Sequence, residues 1–418
     1  MKIKIDYIPK SEGHVGLEAK IVNGKAREAR MDVKEGARLI EGILIGRKFE
    51  EIPIITSRIC GVCPIVHNIT SIKAIEAAFG VKPPRLAVLL RKLMLASQVI
   101  QSHSLHLFFL SLSDYFGIKN SFDLAKVYPN EFEEVLKIRN FANKISETIG
   151  GRAVHPLTSV VGGFTKMPQK SELENILKEC PEVLEAALAV LDLFKKVKFP
   201  CFERPTEFIA LKKKKEYAVY EGDIASSGGL FIPAKRYSEA LEKFQRASEV
   251  VNLVRLSRGS YMVGALARLN LETSELNKEA KKVVRRFKLK LPIYNPFYNN
   301  LAQMIEIIHF IEETQRLLKE AIKANFRRPK TSFHFKAGEG VGVAEAPRGL
   351  LIHNYEIKKD GRIKNARIIT PTAQFLFNLE EDLKEFLPTL RNLSSSKRKQ
   401  EIKKLVRAYD LCISCAVH

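Results

Sequence analysis

Two cysteine pairs are the residues in this chain whose type and spacing point to chemistry. Cys60-Gly61-Val62-Cys63 lies within Arg58-Ile59-Cys60-Gly61-Val62-Cys63-Pro64-Ile65-Val66-His67, and Cys412-Ile413-Ser414-Cys415 within the closing stretch from Asp410 to His418. A C-x-x-C spacing lets two thiolates grip one ion from two sides, so two such pairs offer four sulfur ligands. Four soft ligands select a soft or borderline metal, with zinc and iron-sulfur as the common outcomes. On spacing alone, structural zinc is the plainest reading. Closing the loop between Cys63 and Cys412 costs about 5 kcal/mol of chain entropy, so the rest of the fold must bring the two ends of the chain together.

The elements that would position these pairs are mostly helical. Lys2 to Tyr7 alternates like a strand, and Val15 to Val22 and Ala26 to Val33 flank Asn23-Gly24, a hairpin signal. Between them lies the loop Ser11-Glu12-Gly13-His14, and Ala37 to Arg47 has a short helical period with Glu41 among apolar neighbours. Apolar residues then recur at three and four positions over Asn68 to Phe79, Pro84 to Tyr115, Glu131 to Ile149, Ser171 to Lys198, Lys235 to Arg258, Thr273 to Lys288, Asn299 to Phe326 and Leu379 to Tyr409. Pro84 to Tyr115 is the predicted buried centre. It sets His103 and His106 on one face with Asp114 beyond, and such histidines are ordinarily satisfied core residues. A second small sheet is expected from Ile352 to Ile369 around Asp360-Gly361. The predicted fold is α+β, mainly α: a large helical bundle with small peripheral β-sheets, the N- and C-terminal segments meeting at a buried metal site. A single catalytic unit is expected over 1–418, with β regions at 1–35 and 350–370.

Composition narrows the class. The 418 residues are 45% hydrophobic, enough to bury a large core. The net charge of +22 comes from 69 basic against 47 acidic residues. It lies on helices and in runs such as Lys212 to Lys215, without interleaved aromatics or a nucleic-acid motif, which fits a solvated face or an acidic partner better than nucleic acid. The charged, alternating N-terminus is no secretory signal and no stretch reads as a membrane span, so a cytoplasmic location is expected. The high Lys, Arg and Glu content without tryptophan is compatible with a heat-adapted source. Of six cysteines, Cys180 and Cys201 lie outside the pairs, so a disulfide framework is not expected. Gly338-Glu339-Gly340-Val341-Gly342 lacks both the spacing and the context of a dinucleotide fingerprint.

Taken together, the motifs resemble a family. Arg58 to His67 resembles the R-x-C-G-x-C-x-x-x-H signature of nickel-iron hydrogenase large subunits, and Asp410 to His418 their closing D-P-C-x-x-C-x-x-H. In order between these, Glu12-Gly13-His14 resembles an E-G-H loop, Gly151-Arg152-Ala153-Val154-His155-Pro156 a G-R-x-x-H-P segment, Glu345-Ala346-Pro347-Arg348-Gly349 an E-A-P-R-G motif, and Ile369-Thr370-Pro371-Thr372 the cyanide-facing loop. Leu411 stands where the family usually has proline, and Phe375 where relatives often have asparagine. The length and the P-T-A-Q loop look more like the cytoplasmic, multi-subunit, nicotinamide-linked branch.

The resemblance implies reversible heterolytic oxidation of molecular hydrogen. Nickel is held by all four thiolates, and Cys63 and Cys415 also bridge to an iron carrying carbonyl and cyanide ligands. Cys60 and Cys412 are left terminal. Pro347, Pro371 and Thr372 are implied to bind this cofactor. Arg348 is implied to sit over the open coordination site, oriented by Asp114 and Asp410, though a buried salt bridge would explain the same three residues. His67 is expected to donate to the Cys63 sulfur, and Glu12 to face the Cys412 thiolate as a proton carrier, where the plainer reading is a surface acid. A magnesium or second iron ion is implied at Glu41, His418 and the Leu376 carbonyl. A chain stopping at His418 is read as a processed, mature form, or as a gene that ends there. With four cysteines committed, the other two cannot hold a cluster, so the expected partners are a flavin-containing nicotinamide reductase and a small iron-sulfur subunit. The competing reading is a zinc-stapled helical scaffold or assembly subunit without redox activity.

Overall fold

A helix with apolar residues on most of its circumference lies inside the molecule, and Arg85–Leu105 is such a helix, its few polar residues such as Arg91 and His103 being paired inside with Glu76 and Glu306. The structure, a computed structural model, describes residues 2–247, 249–326 and 329–418. Its helices are α1 (Ile40–Leu44), α2 (Ile52–Ser57), α3 (Pro64–Phe79), α4 (Arg85–Leu105), α5 (Leu124–Val127), α6 (Pro129–Gly150), α7 (Lys170–Leu191), α8 (Ala265–Glu272), α9 (Lys278–Arg286), α10 (Asn299–Ile322), α11 (Pro371–Thr389), α12 (Ser395–Ala408) and α13 (Ile413–Ala416). The central helix α4 packs between α6 and α10, and α7 covers α6 and α10 from outside. Beyond Leu105 the helix loosens into a π turn (His106–Ser111) and a 3₁₀ turn (Leu112–Asp114). His103 and His106 are satisfied core residues. His103 Nε2 is 2.7 Å from Glu306, and His106 lies between Gln303 Oε1 at 2.6 Å and the Arg407 carbonyl at 2.7 Å.

The strands are β1 (Lys2–Ile5), β2 (Val15–Val22), β3 (Lys25–Val33), β4 (Ser159–Val160), β5 (Gly163–Phe164), β6 (Glu207–Lys212), β7 (Asp223–Ser226), β8 (Phe231–Ile232), β9 (Glu242–Phe244), β10 (Leu253–Arg255), β11 (Tyr261–Met262), β12 (Gly338–Ala346), β13 (Gly349–Ile357) and β14 (Ile363–Ile369). The hairpin expected at Asn23-Gly24 joins β2 to β3, with φ of 51° and 75° at the two turn residues, as a primed turn requires. The later sheet runs β12-β13-β14, and a four-stranded sheet of order β11-β6-β7-β8 stands beside it.

The Gly338-Glu339-Gly340-Val341-Gly342 stretch is the first half of β12, and its glycines have a packing cause. They alternate onto one face, beneath α3, where an added Cβ would press into the backbone oxygens of Ala78, Ala74 and Thr70. Two strand residues advance about 6.7 Å and one helical turn about 5.4 Å, so each successive glycine meets the next turn of α3. Strand and helix therefore pack backbone to backbone, which fixes where α3 begins and so where Cys63 sits. We expect Gly342→Ala to cost about 1–3 kcal/mol, because a rigid backbone oxygen must move. A thermal unfolding midpoint equal to wild type would refute this packing.

Three expectations are corrected. Lys235 to Arg258 is not a helix: a 3₁₀ turn at Ala234–Glu239 leads into the β9-β10 ribbon, where Arg255 stands opposite Glu242 and pairs with it at 3.1 Å. Ser248, within that stretch, lies outside the described residues. In β10 the β-branched Val254 suits a strand. Leu379 to Tyr409 is two helices, α11 starting on Pro371 and α12 capped by Ser394, whose Oγ accepts from the Lys397 N–H at 3.3 Å. Thr273 to Lys288 keeps only α9 as a regular helix, while α8 and the β6-β7-β8 strands appear without having been anticipated. No helix among the described residues is long and apolar enough to cross a membrane.

Candidate metal centre

Cys63 precedes Pro64, the first residue of α3, and Cys412 precedes Ile413, the first residue of α13. Proline suits a first helical position, where its missing N–H costs nothing. Each pair is thus a loop running into a helix start. Gln98 on α4 anchors the first loop, accepting from the Val66 N–H at 2.7 Å and donating to the Val62 carbonyl at 3.3 Å. Arg38 laces the two pairs together. Its side chain donates to the carbonyls of Arg58 at 3.0 Å, Ile59 at 2.5 Å and Ser414 at 3.4 Å, and its backbone N–H to Val417 at 2.7 Å. The second loop is held by Thr372, whose Oγ1 accepts from the Cys412 N–H at 3.1 Å.

The result is a set of four buried thiols whose sulfur atoms all lie within 4.8 Å of one another. Cys60 and Cys412 are 3.4 Å apart, Cys63 and Cys415 3.3 Å, and Cys412 and Cys415 3.1 Å. Four thiolates at this spacing repel strongly in a dry site. Hydrogen bonds from the other three hold the Cys60 thiol well below its ordinary pKa, while those same contacts and burial push Cys415 well above. A bound cation would let all four ionise, so the donor set fits a soft metal. A small cavity of about 10 Å³ opens beside the sulfurs, lined by Cys63, His67, Ala346, Arg348, Pro371, Thr372, Cys412 and Cys415. Pro347 is not among them. Its carbonyl turns the other way and accepts from Arg268 at 2.9 Å.

Arg348 faces this cavity and is buried. Its Nε and Nη2 fork onto Asp410 Oδ1 at 3.1 and 2.8 Å, and Nη1 is 3.4 Å from Ser102 Oγ. Burial works against its charge, but Asp410 and the nearby cysteines outweigh burial and hold it firmly cationic. Gln303 supports the pair from Nε2, 3.0 Å from Asp410 Oδ2. Asp114 does not orient Arg348. It pairs with Arg407 and sits 3.8 Å from Lys10, because the 3₁₀ turn that carries it faces the end of α12 and the Pro9-Lys10 segment. Arg407 Nε in turn donates to the Pro9 carbonyl at 2.8 Å, so Asp114 braces the loop that carries Glu12.

Two more partners differ from expectation. His67 Nε2 lies 3.7 Å from the sulfur of Cys415, not Cys63, since the side chain points across the site from the first turn of α3. Burial lowers its pKa to about 3, so the ring is neutral and its protonated nitrogen is set by a chain: His67 Nδ1 to His353 Nε2 at 3.1 Å, and His353 Nδ1 to Tyr355 Oη at 2.5 Å. Glu12 does adjoin Cys412, through a backbone bridge in which its carbonyl accepts from the Ile413 N–H at 3.1 Å. Its carboxylate, however, accepts from the Ser414 N–H at 3.0 Å and from the Ser414 hydroxyl. That amide is one of the free donors at a helix start, and it outcompetes a sulfur turned inward.

Glu41 and His418 converge on Ile368. Glu41 Oε1 accepts from the Ile368 N–H at 2.6 Å and pairs with Lys243 Nζ at 3.0 Å, while His418 Nε2 is 3.1 Å from the Ile368 carbonyl. Burial lowers the His418 pKa, leaving a neutral imidazole. The carbonyl beside them is that of Ile368, not Leu376, which lies inside α11 where carbonyls are committed to the helix ladder. Arg38, Gln98, Gln303 and Arg268 escaped the sequence reading. None belongs to a cysteine or acid-base motif, and only a polar residue inside an apolar helical run, as with Gln98, could have flagged one of them.

Comparison with known proteins agrees with this geometry. A family model described as nickel-dependent hydrogenase matches residues 38–131 and 251–418. The alpha subunit of sulfhydrogenase 1 from Pyrococcus furiosus is 35% identical over 420 residues, covering 100% of this chain and 98% of its own length. The alpha subunit of sulfhydrogenase 2 from the same organism is 32% identical, over 100% of this chain and 99% of its own. Among solved structures, an NAD+-reducing [NiFe]-hydrogenase in its H2-reduced state superposes with a TM-score of 0.90 at 26% identity, covering 100% of this chain and 99% of that one. The likeness in sequence and in fold runs over the whole chain, and the chain belongs to the nickel-dependent hydrogenases.

Proposed function

We propose that this chain is the catalytic large subunit of a nickel-iron hydrogenase complex that oxidises molecular hydrogen reversibly and passes the electrons to a partner iron-sulfur subunit. The observation that carries this reading is the convergence of four buried sulfurs with the Arg348 guanidinium beside one small cavity. When bound, nickel with an iron bearing carbonyl and cyanide ligands supplies a Lewis-acidic, redox-active centre for the H–H bond. The chain's part is to hold and dispose of charge. Cys60, Cys63, Cys412 and Cys415 would hold the metals through their four sulfurs. His67 sets its Nε2 edge against the Cys415 sulfur, 3.7 Å away, and so fixes the polarity on that side of the cysteines. Arg348, fixed by Asp410, presents a cation over the place where charge develops, and Pro371 and Thr372 close the wall of the cavity.

The proton is proposed to leave by Glu12, through the Cys412 segment and Ser414. Glu12 pairs with Cys412 along the backbone and its carboxylate accepts from the Ser414 N–H, which places an acid-base group beside the second cysteine pair. Glu12→Gln should keep nickel, iron and the Arg348–Asp410 pair while hydrogen/deuterium exchange falls by about 10²–10⁴-fold, the usual worth of a positioned acid-base group. Unchanged exchange would remove Glu12 from the route. Glu41, the Ile368 carbonyl and His418 form a donor set for a hard cation, magnesium or a second iron, with the Lys243 ammonium as the competitor to be displaced.

Electrons are proposed to leave near Cys60. Exposed Leu39, Ile43, Ile54, Val154 and Leu157 lie on the segments that flank it, an apolar surface suited to a small iron-sulfur subunit. Beyond that subunit we place a flavin and nicotinamide reductase or a sulfur acceptor, since two relatives are called sulfhydrogenases and one structural neighbour NAD+-reducing. A cytoplasmic location belongs with this reading. Metal analysis of the purified complex tests it: nickel and iron together, with infrared bands of metal-bound carbonyl and cyanide, are expected, and zinc without those bands would end it.

A further inference from the structure

Arg268, on α8, is buried, and its guanidinium spends its donors on two different tasks. One side forks onto Glu306, Nε to Oε1 at 2.6 Å and Nη2 to Oε2 at 2.7 Å, and Nη1 reaches Glu345 Oε2 at 2.8 Å. The other contacts go to peptide carbonyls: Nη1 donates to Ala346 at 2.9 Å and Nη2 to Pro347 at 2.9 Å. These are the two residues immediately before Arg348, and Ala346 itself lines the cavity over the sulfurs. Glu306 is fastened from other directions by the Tyr217 hydroxyl at 2.6 Å and by His103 at 2.7 Å, and Glu345 Oε1 by the Leu211 N–H at 2.8 Å. The helix that carries Arg268 starts at Gly264, whose φ is +107° and where a Cβ would come within 2.9 Å of the Arg348 carbonyl.

We infer that Arg268 is the positioning residue of Arg348: a fixed cation, anchored on Glu306 and Glu345, that holds the Ala346 and Pro347 carbonyls so that the next side chain projects over the sulfurs. A buried ion cluster is weak evidence for stability, since desolvation offsets much of its attraction. Two carbonyls gripped by one planar fork are better explained by geometry. Five donors in a fixed plane can hold two carboxylates and two carbonyls at once, which a lysine ammonium cannot. No metal ligand and no proton carrier is touched by Arg268, so its effect on the reaction passes through Arg348. For its activity readout this inference rests on the function proposed above.

The test is a double-mutant cycle in the purified complex with Arg268→Lys, Arg348→Lys and the pair. Lysine keeps a charge for Glu306 and Glu345 but leaves the two carbonyls ungripped. Arg268→Lys should retain nickel and iron and lose about 10²-fold in hydrogen/deuterium exchange, the scale on which a displacement of about 1 Å costs rate. In the Arg348→Lys background the same change should cost less than threefold. Amide protection measured by mass spectrometry should fall over peptides spanning Ala346 to Leu351, whether or not the enzyme turns over. Equal losses in both backgrounds, or unchanged protection of that turn, would overturn the inference. Should Arg268→Lys fail to accumulate, Gly264→Ala pushes on the same turn from its other side and is expected to show the same dependence on Arg348. Full exchange in Gly264→Ala would count against it. A wild-type complex without exchange would refute the proposed reaction, and the protection measurement would still decide the clamp.

Discussion

Arg348→Lys is expected to leave nickel and iron in place and to lower hydrogen/deuterium exchange by about 10²–10³-fold, the usual worth of one preorganised charge-stabilising donor. The charge survives the substitution, so any loss reports geometry. Two guanidinium nitrogens fork onto Asp410 Oδ1 at 2.8 and 3.1 Å and fix the plane in which the third faces Ser102. An ammonium on a flexible stem can satisfy Asp410 or hang over the sulfurs, but not both at once. Asp410 would stay paired with Gln303, so folding should suffer little. Infrared bands at wild-type positions with exchange lowered to that extent is the expected signature. Exchange within twofold of wild type would assign Arg348 to the salt bridge alone.

Cys415→Ser should be the most damaging single change in the chain, leaving nickel below about a tenth of stoichiometric and exchange undetectable, because a buried hydroxyl neither ionises near neutral pH nor matches a soft metal. The sulfur it removes lies 3.1 Å from Cys412, 3.3 Å from Cys63 and 3.7 Å from His67. Its surroundings push this thiol well away from ionising without a cation, so metal loading and its deprotonation are one event. Elemental analysis decides the matter. Cys180→Ala, which alters a thiol buried on α7 outside the site, is the control and should retain both metals. If Cys415→Ser bound nickel stoichiometrically, the four-sulfur assignment would fall.

Most of the helices could be read from periodicity, because α3, α4, α6, α7 and α10 each bury a continuous apolar face. Reading failed where short elements depend on partners. The β9-β10 ribbon contains charged residues at helical spacing, and only the cross-strand pairing of Arg255 with Glu242 and the salt bridge from Lys243 to Glu41 decide against a helix. The glycines of β12 looked like a cofactor loop that the context excluded, and their cause, the backbone of α3 lying on them, is a contact between segments hundreds of residues apart.

The site divides in the same way. Which residues can bind metal was determined by the sequence: cysteine is the soft ligand, C-x-x-C spacing is local, and the motifs around Cys60, Cys412, Arg348 and Pro371 are written in contiguous residues. Which atom each partner meets was decided only by the tertiary structure. His67 reaches Cys415 instead of Cys63, Glu12 caps Ser414 beside the Cys412 thiol, Asp114 serves Arg407, and Ile368 rather than Leu376 stands between Glu41 and His418. The physical reason is that a hydrogen bond is settled by tenths of an ångström and by the direction of a donor. Those follow from how α3, α12, α13 and the Pro9–His14 loop pack together, and no local pattern carries that information.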